Sequence, residues 1–519
     1  KAMVNPLSIP ADAARVTTGT ALATVDAVVD AMANVFHKEE VDEKILLAAA
    51  PQSSVYDLAD PMLDISAAVY PLVQLRRATT LKLQKLQGER GLTDQDITEM
   101  KQAHMEEQVL LEQVKSGDAK KAEDYKKAND EIDSIKKSTN LTDGDWPIFC
   151  HYFDILSLPK TAPQIKSELA INSDYIKEFL VLFGGEDFNI DAVQGTVDRC
   201  SGYTLVYMDD DFTSKDFLGF QSEVVFGIYV SECSEKIVVV FRGSVVANDW
   251  ITNIQVNATD LKLPGPDSPD ATTYGKVHKG FYDYLFGPTR NGDGKMGSKA
   301  DEIMDHIHRL LEVHPKFQIH VTGHSLGGAL STMMAFRAAL DDRIKNTVFN
   351  VSFASPFVGN QEFRNDFQRL EAQNKIRHLR VSNDDDVVPL IPYMTLFSPP
   401  GMTYKHVGMN VKLYNKSFLR PEFRIAYPKV GSWLNEINNA IHSNIFLGLT
   451  IMNVPFHLCP EYRARLDAAR SGLKKTYLET LYSDEDIVGP LNELRLPQSP
   501  VPALTDASDG SSEDSVDMK

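Results

Sequence analysis

The sequence predicts an α/β protein, with a mainly parallel central sheet, helices on its faces and a helical N-terminal region ahead of it. Two observations carry this prediction. From about Trp146, short apolar runs rich in β-branched and aromatic residues ("EVVFGIYV", "KIVVVF", "FQIHVT", "VFNVSFA", "IRHLRVS") alternate with stretches of helical spacing. Strands separated by helices pair in parallel, and the helices stack on both faces. Upstream, residues 1 to about 140 are patterned as helix and carry no catalytic motif.

The chain of 519 residues is too long for one core and is expected to form two or three units. Its hydrophobic content of 43% and charged content of 24% are those of ordinary globular protein. A net charge of −19 argues against nucleic acid and against docking on anionic membrane, both of which need basic patches. It leaves neutral lipid open as a partner, since apolar contact dominates there. Cys150, Cys200, Cys233 and Cys459 show neither metal spacing nor a disulfide framework and are expected to be buried or free thiols. No run approaches the roughly 18 apolar residues a transmembrane helix needs, and no basic-plus-apolar leader follows Lys1. The sequons at Asn140, Asn257, Asn350 and Asn415 do not decide the compartment, because Asn350 falls in a predicted buried strand. A cytoplasmic, lipid-droplet or membrane-surface location is expected over a secreted one.

Along the chain, residues 1–145 are expected as two or three amphipathic helices. "LVQLRRATTLKLQKLQ" places Leu72, Leu75, Leu83 and Leu86 among basic residues, and Thr93 with Asp96 forms an approximate capping box for the next helix. The region reads as a packing or self-association module without a catalytic pattern, with a lipid-surface or regulatory role, such as gating the site, as the alternative. Residues 146–475 form the α/β unit. Residues 476–519 form an acidic tail, and its Pro- and Ser-rich part from Leu491 is expected to be disordered.

Within the α/β unit, "KFQIHVTGHSLGGALSTMMAF" passes from strand to helix within four residues. Phe317, Ile319 and Val321 alternate as in a strand, and Leu326, Ala329, Leu330, Met333 and Met334 follow helical spacing. Such a sharp turn needs the close backbone approach that Gly323, Gly327 and Gly328 permit. It lifts the Ser325 hydroxyl above the sheet edge and aims the new helix's amides at the same point. This is the nucleophile elbow, G-x-S-x-G, of α/β-hydrolases.

A serine hydroxyl is a poor nucleophile until a histidine, held by a carboxylate, takes its proton. In this fold the acid and then the histidine follow the serine. In "IRHLRVSNDDDVVPLIP", Asp384, Asp385 and Asp386 sit at a strand's carboxyl end. Asp386, flanked by Val387 and Val388, is expected to point inward while the other two are solvated. Of the downstream histidines, His406 lies in an alternating run and reads as a packed strand residue. His442 begins an apolar helix after an Asn-rich loop and is the preferred base, while His457 is placed deep in the last helical region. Oxyanion donors are expected from the Leu326 amide and from Ser244, which follows the strand "KIVVVF". This chemistry requires no metal or cofactor.

Seven motifs in order, "VVVFRGS", Trp250 of "NDWITNI", "VHKGFYDYL", "VTGHSLGGALS", "FASPFVGNQEF", "RVSNDDDVVPLIP" and "YKHVG", resemble the fungal-type (class 3) lipase family of α/β-hydrolases. The resemblance spans roughly 202–450. It implies Ser325 as nucleophile, Asp386 in D-x-V-P as triad acid, His442 as base, and Ser244 with Leu326 as the oxyanion hole. It also implies a lid from about Val245 to Ile251, with Val245 and Trp250 at the substrate. The implied reaction is hydrolysis of acylglycerol esters at a lipid–water interface. The alternatives are a phospholipase A1 or galactolipid lipase, and a catalytically inactive lipase-like signalling scaffold.

Overall fold

The computed structural model describes residues 53–117, 121–177, 189–209, 225–244, 257–265, 268–290, 296–391, 403–415, 421–428, 454–485 and 487–489. Among these, the central element is a nine-stranded sheet. Its strands in chain order are β1 (Lys160–Thr161), β2 (Thr204–Met208), β3 (Phe226–Ser231) and β4 (Lys236–Phe241). A separate antiparallel hairpin, β5 (Ala258–Gly265) with β6 (Ser268–His278), and a short pair, β7 (Thr289–Arg290) with β8 (Met296–Gly297), come next. The main sheet resumes with β9 (Gln318–His324), β10 (Val348–Phe353), β11 (Ile376–Asn383), β12 (Met409–Leu413) and β13 (Phe423–Ala426).

The spatial order is β1-β2-β3-β4-β9-β10-β11-β12-β13. Strands β4, β9, β10, β11 and β12 are parallel to their neighbours in this series. β1 to β4 meander in antiparallel fashion at one edge, and β13 is antiparallel at the other. The sheet is therefore parallel at its centre and antiparallel at both flanks. The parallel neighbours β9 and β10 are joined through the helix Leu326–Ala339, and β10 and β11 through the helix Gln361–Ala372, whereas the antiparallel neighbours β3 and β4 are joined by the short turn 232–235.

Each parallel strand feeds two cores, as its period-two side chains dictate. On β4, Ile237, Val239 and Phe241 face one layer while Val238 and Val240 face the other. The first layer includes helices α7 (Lys279–Phe286), α8 (Lys299–Val313), α9 (Leu326–Ala339) and α10 (Gln361–Ala372).

The opposite layer corrects the expected boundary at residue 145. Helix α1 (Val55–Arg90) lies in the sheet's own core, with Leu58, Leu63, Val69, Leu72, Val73 and Leu75 buried against Val238, Val240, Val351 and Phe353. Burying each such side chain contributes on the order of 1.5–3 kcal/mol, so α1 is part of the α/β unit. Pro61 and Pro71 lie inside α1 and interrupt its sequence pattern. The distal half of α1 carries a smaller cluster. There α2 (Asp94–Lys115), α3 (Ala122–Ser138) and α4 (Asp145–Leu156) pack through Met100, Ile132, Trp146 and Phe149 around Leu83. The Thr93–Asp96 capping box closes the start of α2 in both directions.

The same layer holds α5 (Ala162–Ile171) and α6 (Ile190–Arg199), then α11 (Val454–His457) and α12 (Cys459–Ala468). The expected tail boundary at 476 also moves. Leu478, Leu481, Tyr482 and Val488 are buried in this core, and Tyr482 donates to Glu371 at 2.6 Å. Among the described residues, no helix is long and apolar enough to cross a membrane.

Candidate active site

The turn between β9 and α9 is built by contacts that exclude side chains. A Cβ on Gly323 would lie 2.3 Å from the Gly327 carbonyl oxygen, and one on Gly327 would lie 2.2 Å from that of Phe241. These two glycines let the start of α9 press onto the ends of β9 and β4. Ser325 adopts φ 60°, ψ −127°, a left-handed conformation that costs a non-glycine residue about 1–3 kcal/mol and recurs at functional turns. Its amide donates to the Phe353 carbonyl of β10 at 2.9 Å, which anchors the turn to the sheet.

The Ser325 hydroxyl is 2.9 Å from Nε2 of His457. Nδ1 of the same ring is 2.9 Å from Oδ2 and 3.1 Å from Oδ1 of Asp386. The carboxylate accepts the Nδ1–H, which leaves Nε2 to accept the serine proton. All three residues are buried. Asp386 is held in turn by the Val388 amide at 2.9 Å and by the Tyr462 hydroxyl at 2.7 Å. Burial, with Asp386 adjacent, pushes the Tyr462 phenol well above its ordinary range, so it stays a donor. Asn383, at the end of β11, donates from Nδ2 to the Phe456 carbonyl at 2.8 Å and so ties the acid-bearing turn to the histidine-bearing one.

The structure thus brings together Ser325 and Asp386, but through His457. The preferred base, His442, lies outside the described residues, as do Val245 and Trp250 of the expected lid. The placement of His457 deep in the last helical region, away from Ser325, is corrected. His457 ends the four-residue helix α11, and α12 starts afresh at Cys459 with Pro460 in its first turn. Proline at a helix start was the available signal, since it marks His457 as a turn residue. Asp384 pairs with Lys412 at 2.6 Å and Asp385 with Arg465 at 3.1 Å, so neither reaches the histidine. His406 stacks on Phe357 at 3.7 Å between ring centroids and donates to the Pro389 carbonyl at 2.8 Å. Its role is to brace the loop that follows Asp386.

The end of β4 lies over Ser325. A Cβ on Gly243 would be 2.5 Å from the His324 carbonyl oxygen and 3.1 Å from Ser325 Cβ. Ser244, the next residue, is half-buried, as is Leu326 at the start of α9. The two expected oxyanion donors therefore sit on the segments that border Ser325. No group of three His, Cys, Asp or Glu residues suited to a metal ion occurs among the described residues.

His324, beside the nucleophile, was not singled out by sequence. Its Nε2 is 2.6 Å from the His457 carbonyl oxygen, and its Nδ1 is 3.1 Å from the hydroxyl of Tyr70 on α1. Burial, with the His457 ring nearby, holds its pKa well below the ordinary imidazole value. The neutral ring donates from Nε2 and accepts at Nδ1.

Residues 238–396 match the family model described as Lipase (class 3). A phospholipase A1-II 3 of Oryza sativa subsp. japonica is 27% identical over 198 residues, which cover 36% of this chain and 46% of that protein. The chloroplastic phospholipase A1-Igamma2 of Arabidopsis thaliana is 29% identical over 252 residues, covering 43% of each chain. The chloroplastic galactolipase DONGLE of Arabidopsis thaliana is 31% identical over 168 residues, covering 30% of this chain and 33% of that one. The chain thus spans less than half the length of these relatives. A solved lipase structure from Rhizopus microsporus var. chinensis aligns over 58% of this chain and 87% of that one, at 20% identity and a TM-score of 0.35. The matched segment contains Ser244, Ser325, Leu326 and Asp386, whereas His457 and Tyr70 lie outside it. Residues 238–396, which match the class 3 lipase model, carry the elbow and the acid-bearing turn, and they form the parallel centre of the sheet.

Proposed function

We propose that this chain is a serine carboxylester hydrolase acting on glycerolipids through an acyl-enzyme. The observation that carries the reading is the hydrogen-bonded series Ser325–His457–Asp386, closed at 2.9 Å on both sides of the imidazole. Ser325 Oγ attacks the ester carbonyl as Nε2 of His457 takes its proton. Asp386 stabilises the imidazolium, and the Leu326 amide with Ser244 receives the oxyanion. His457 then protonates the leaving alcohol and activates the water that releases the fatty acid. A lipase-like scaffold has no need of a nucleophile aligned with its base, so the intact series weighs against the inactive reading.

Of the substrate classes, polar-headed glycerolipids are favoured over triacylglycerol, because the relatives reported above are named phospholipase A1 and galactolipase. Fatty-acid release from phosphatidylcholine, a galactolipid and triolein, each presented in the same detergent, tests the choice. Faster release from triolein than from both polar lipids would restore the acylglycerol reading. Action at a lipid surface and self-association through the exposed faces of α2 and α3 belong to the same proposal. Sedimentation of the full chain checks the self-association.

A further inference from the structure

The hydroxyl of Tyr70 occupies a point where three parts of the site meet. Tyr70 is fully buried on α1. Its hydroxyl lies 3.1 Å from Nδ1 of His324 and receives the backbone N–H of Gly243. A Cβ placed on Gly243 would come within 2.3 Å of this oxygen. Hydrogen-bond inventory orders the chain of donors. His324 Nε2 faces a carbonyl, that of His457, at 2.6 Å and must carry the proton. Nδ1 is then an acceptor, so Tyr70 donates to it and uses a lone pair for Gly243.

We propose that Tyr70 is a positioning residue that couples the base and the oxyanion loop to one fixed point on α1. Through His324 it holds the backbone of His457, whose ring faces Ser325. Through Gly243 it holds the loop that presents Ser244. The neighbouring hydrogen bond from Ser66 to Thr322, at 3.0 Å, keeps α1 in register with β9, so the phenol arrives at a set height. The effect of Tyr70 is to place groups that act on the ester, and sub-ångström placement of such groups governs turnover.

The inference rests on the hydrolase reading, and the test separates the two. The full chain and its Tyr70→Phe variant are each treated with a fluorophosphonate, and the rate of Ser325 modification is measured alongside kcat and KM on p-nitrophenyl butyrate. Tyr56→Phe is the control, since Tyr56 lies on the same helix, is buried, and donates to Asp467 at 2.8 Å away from the site. Tyr70→Phe is expected to slow labelling and lower kcat roughly ten-fold or more, with KM within about two-fold, the scale of one lost buried hydrogen bond expressed in a transition state. Tyr56→Phe is expected to lower the melting temperature without slowing either rate. Labelling of Tyr70→Phe at the parent rate, or equal slowing by Tyr56→Phe, overturns the proposal. No labelling of the parent chain would instead overturn the hydrolase reading itself.

Discussion

Two helices meet the strand that carries the nucleophile, and they do so by different means. Helix α9 continues from β9 through a turn that demands Gly323 and Gly327, where a Cβ would lie 2.3 and 2.2 Å from backbone carbonyl oxygens. Helix α1 crosses the face of the same strand and reaches it through side chains, Ser66 to Thr322 and Tyr70 to His324. The difference teaches where a site is written. Where the backbone must bend sharply, the requirement falls on adjacent residues and becomes a motif. Where side chains from distant segments converge, each residue is ordinary in its own surroundings.

The largest expected effects lie on the α9 side. Ser325→Ala and His457→Ala should each lower kcat on a soluble ester by about 10⁵–10⁶-fold, the scale of removing a triad nucleophile or base. His442→Ala should leave turnover near that of the parent, and a collapse there would transfer the base to His442. Asp386→Asn should cost about 10⁴-fold by leaving the imidazole in the wrong tautomer. Asp384→Asn and Asp385→Asn, which break only the pairs to Lys412 and Arg465, should stay within a few-fold on the same assay.

Glycine substitutions sharpen the contrast between the helices through stability. Gly323→Ala places a Cβ against backbone and should cost several kcal/mol, roughly the penalty of a forced core overlap. In α1, a Cβ on Gly88 meets nothing within 4 Å, so Gly88→Ala should stabilise by about 0.5–1 kcal/mol. Thermal melts of the two variants check both signs. Deletion of the chain up to Arg90 removes α1 from the sheet's core and should abolish cooperative unfolding.

A pH-dependent effect concerns a buried carboxyl remote from both helices' contacts with β9. Glu371 accepts hydrogen bonds from Tyr427 and Tyr482, and burial raises its pKa from 4.5 to about 7. A raised pKa means that the folded chain binds this proton more tightly than the unfolded chain. Its contribution is therefore present in full below pH 4.5 and is lost as pH rises to about 7. Urea melts across this window should show stability falling by up to about 3 kcal/mol from this group. Glu371→Gln should flatten that slope.

The parts legible in sequence were those with short-range causes. The alternation of strands and helices, the glycine turn around Ser325, and the inward Asp386 ahead of Val387 and Val388 each announce themselves within a few residues. His457 did not, because it falls at the break between α11 and α12, and it lies beyond the 238–396 family segment. Nor did the place of α1, since Pro61 and Pro71 break up a 36-residue helix, and its partners on β4, β9 and β10 are far away in the chain. Tyr462, which holds Asp386, reads locally as an ordinary aromatic in a helix.

Mass spectrometry of the fluorophosphonate-treated full chain tests the central claim most directly. A single adduct is predicted on the peptide containing Ser325, lost in His457→Ala and retained in His442→Ala. An adduct on another residue, or modification that survives removal of the His457 ring at the parent rate, would contradict the account.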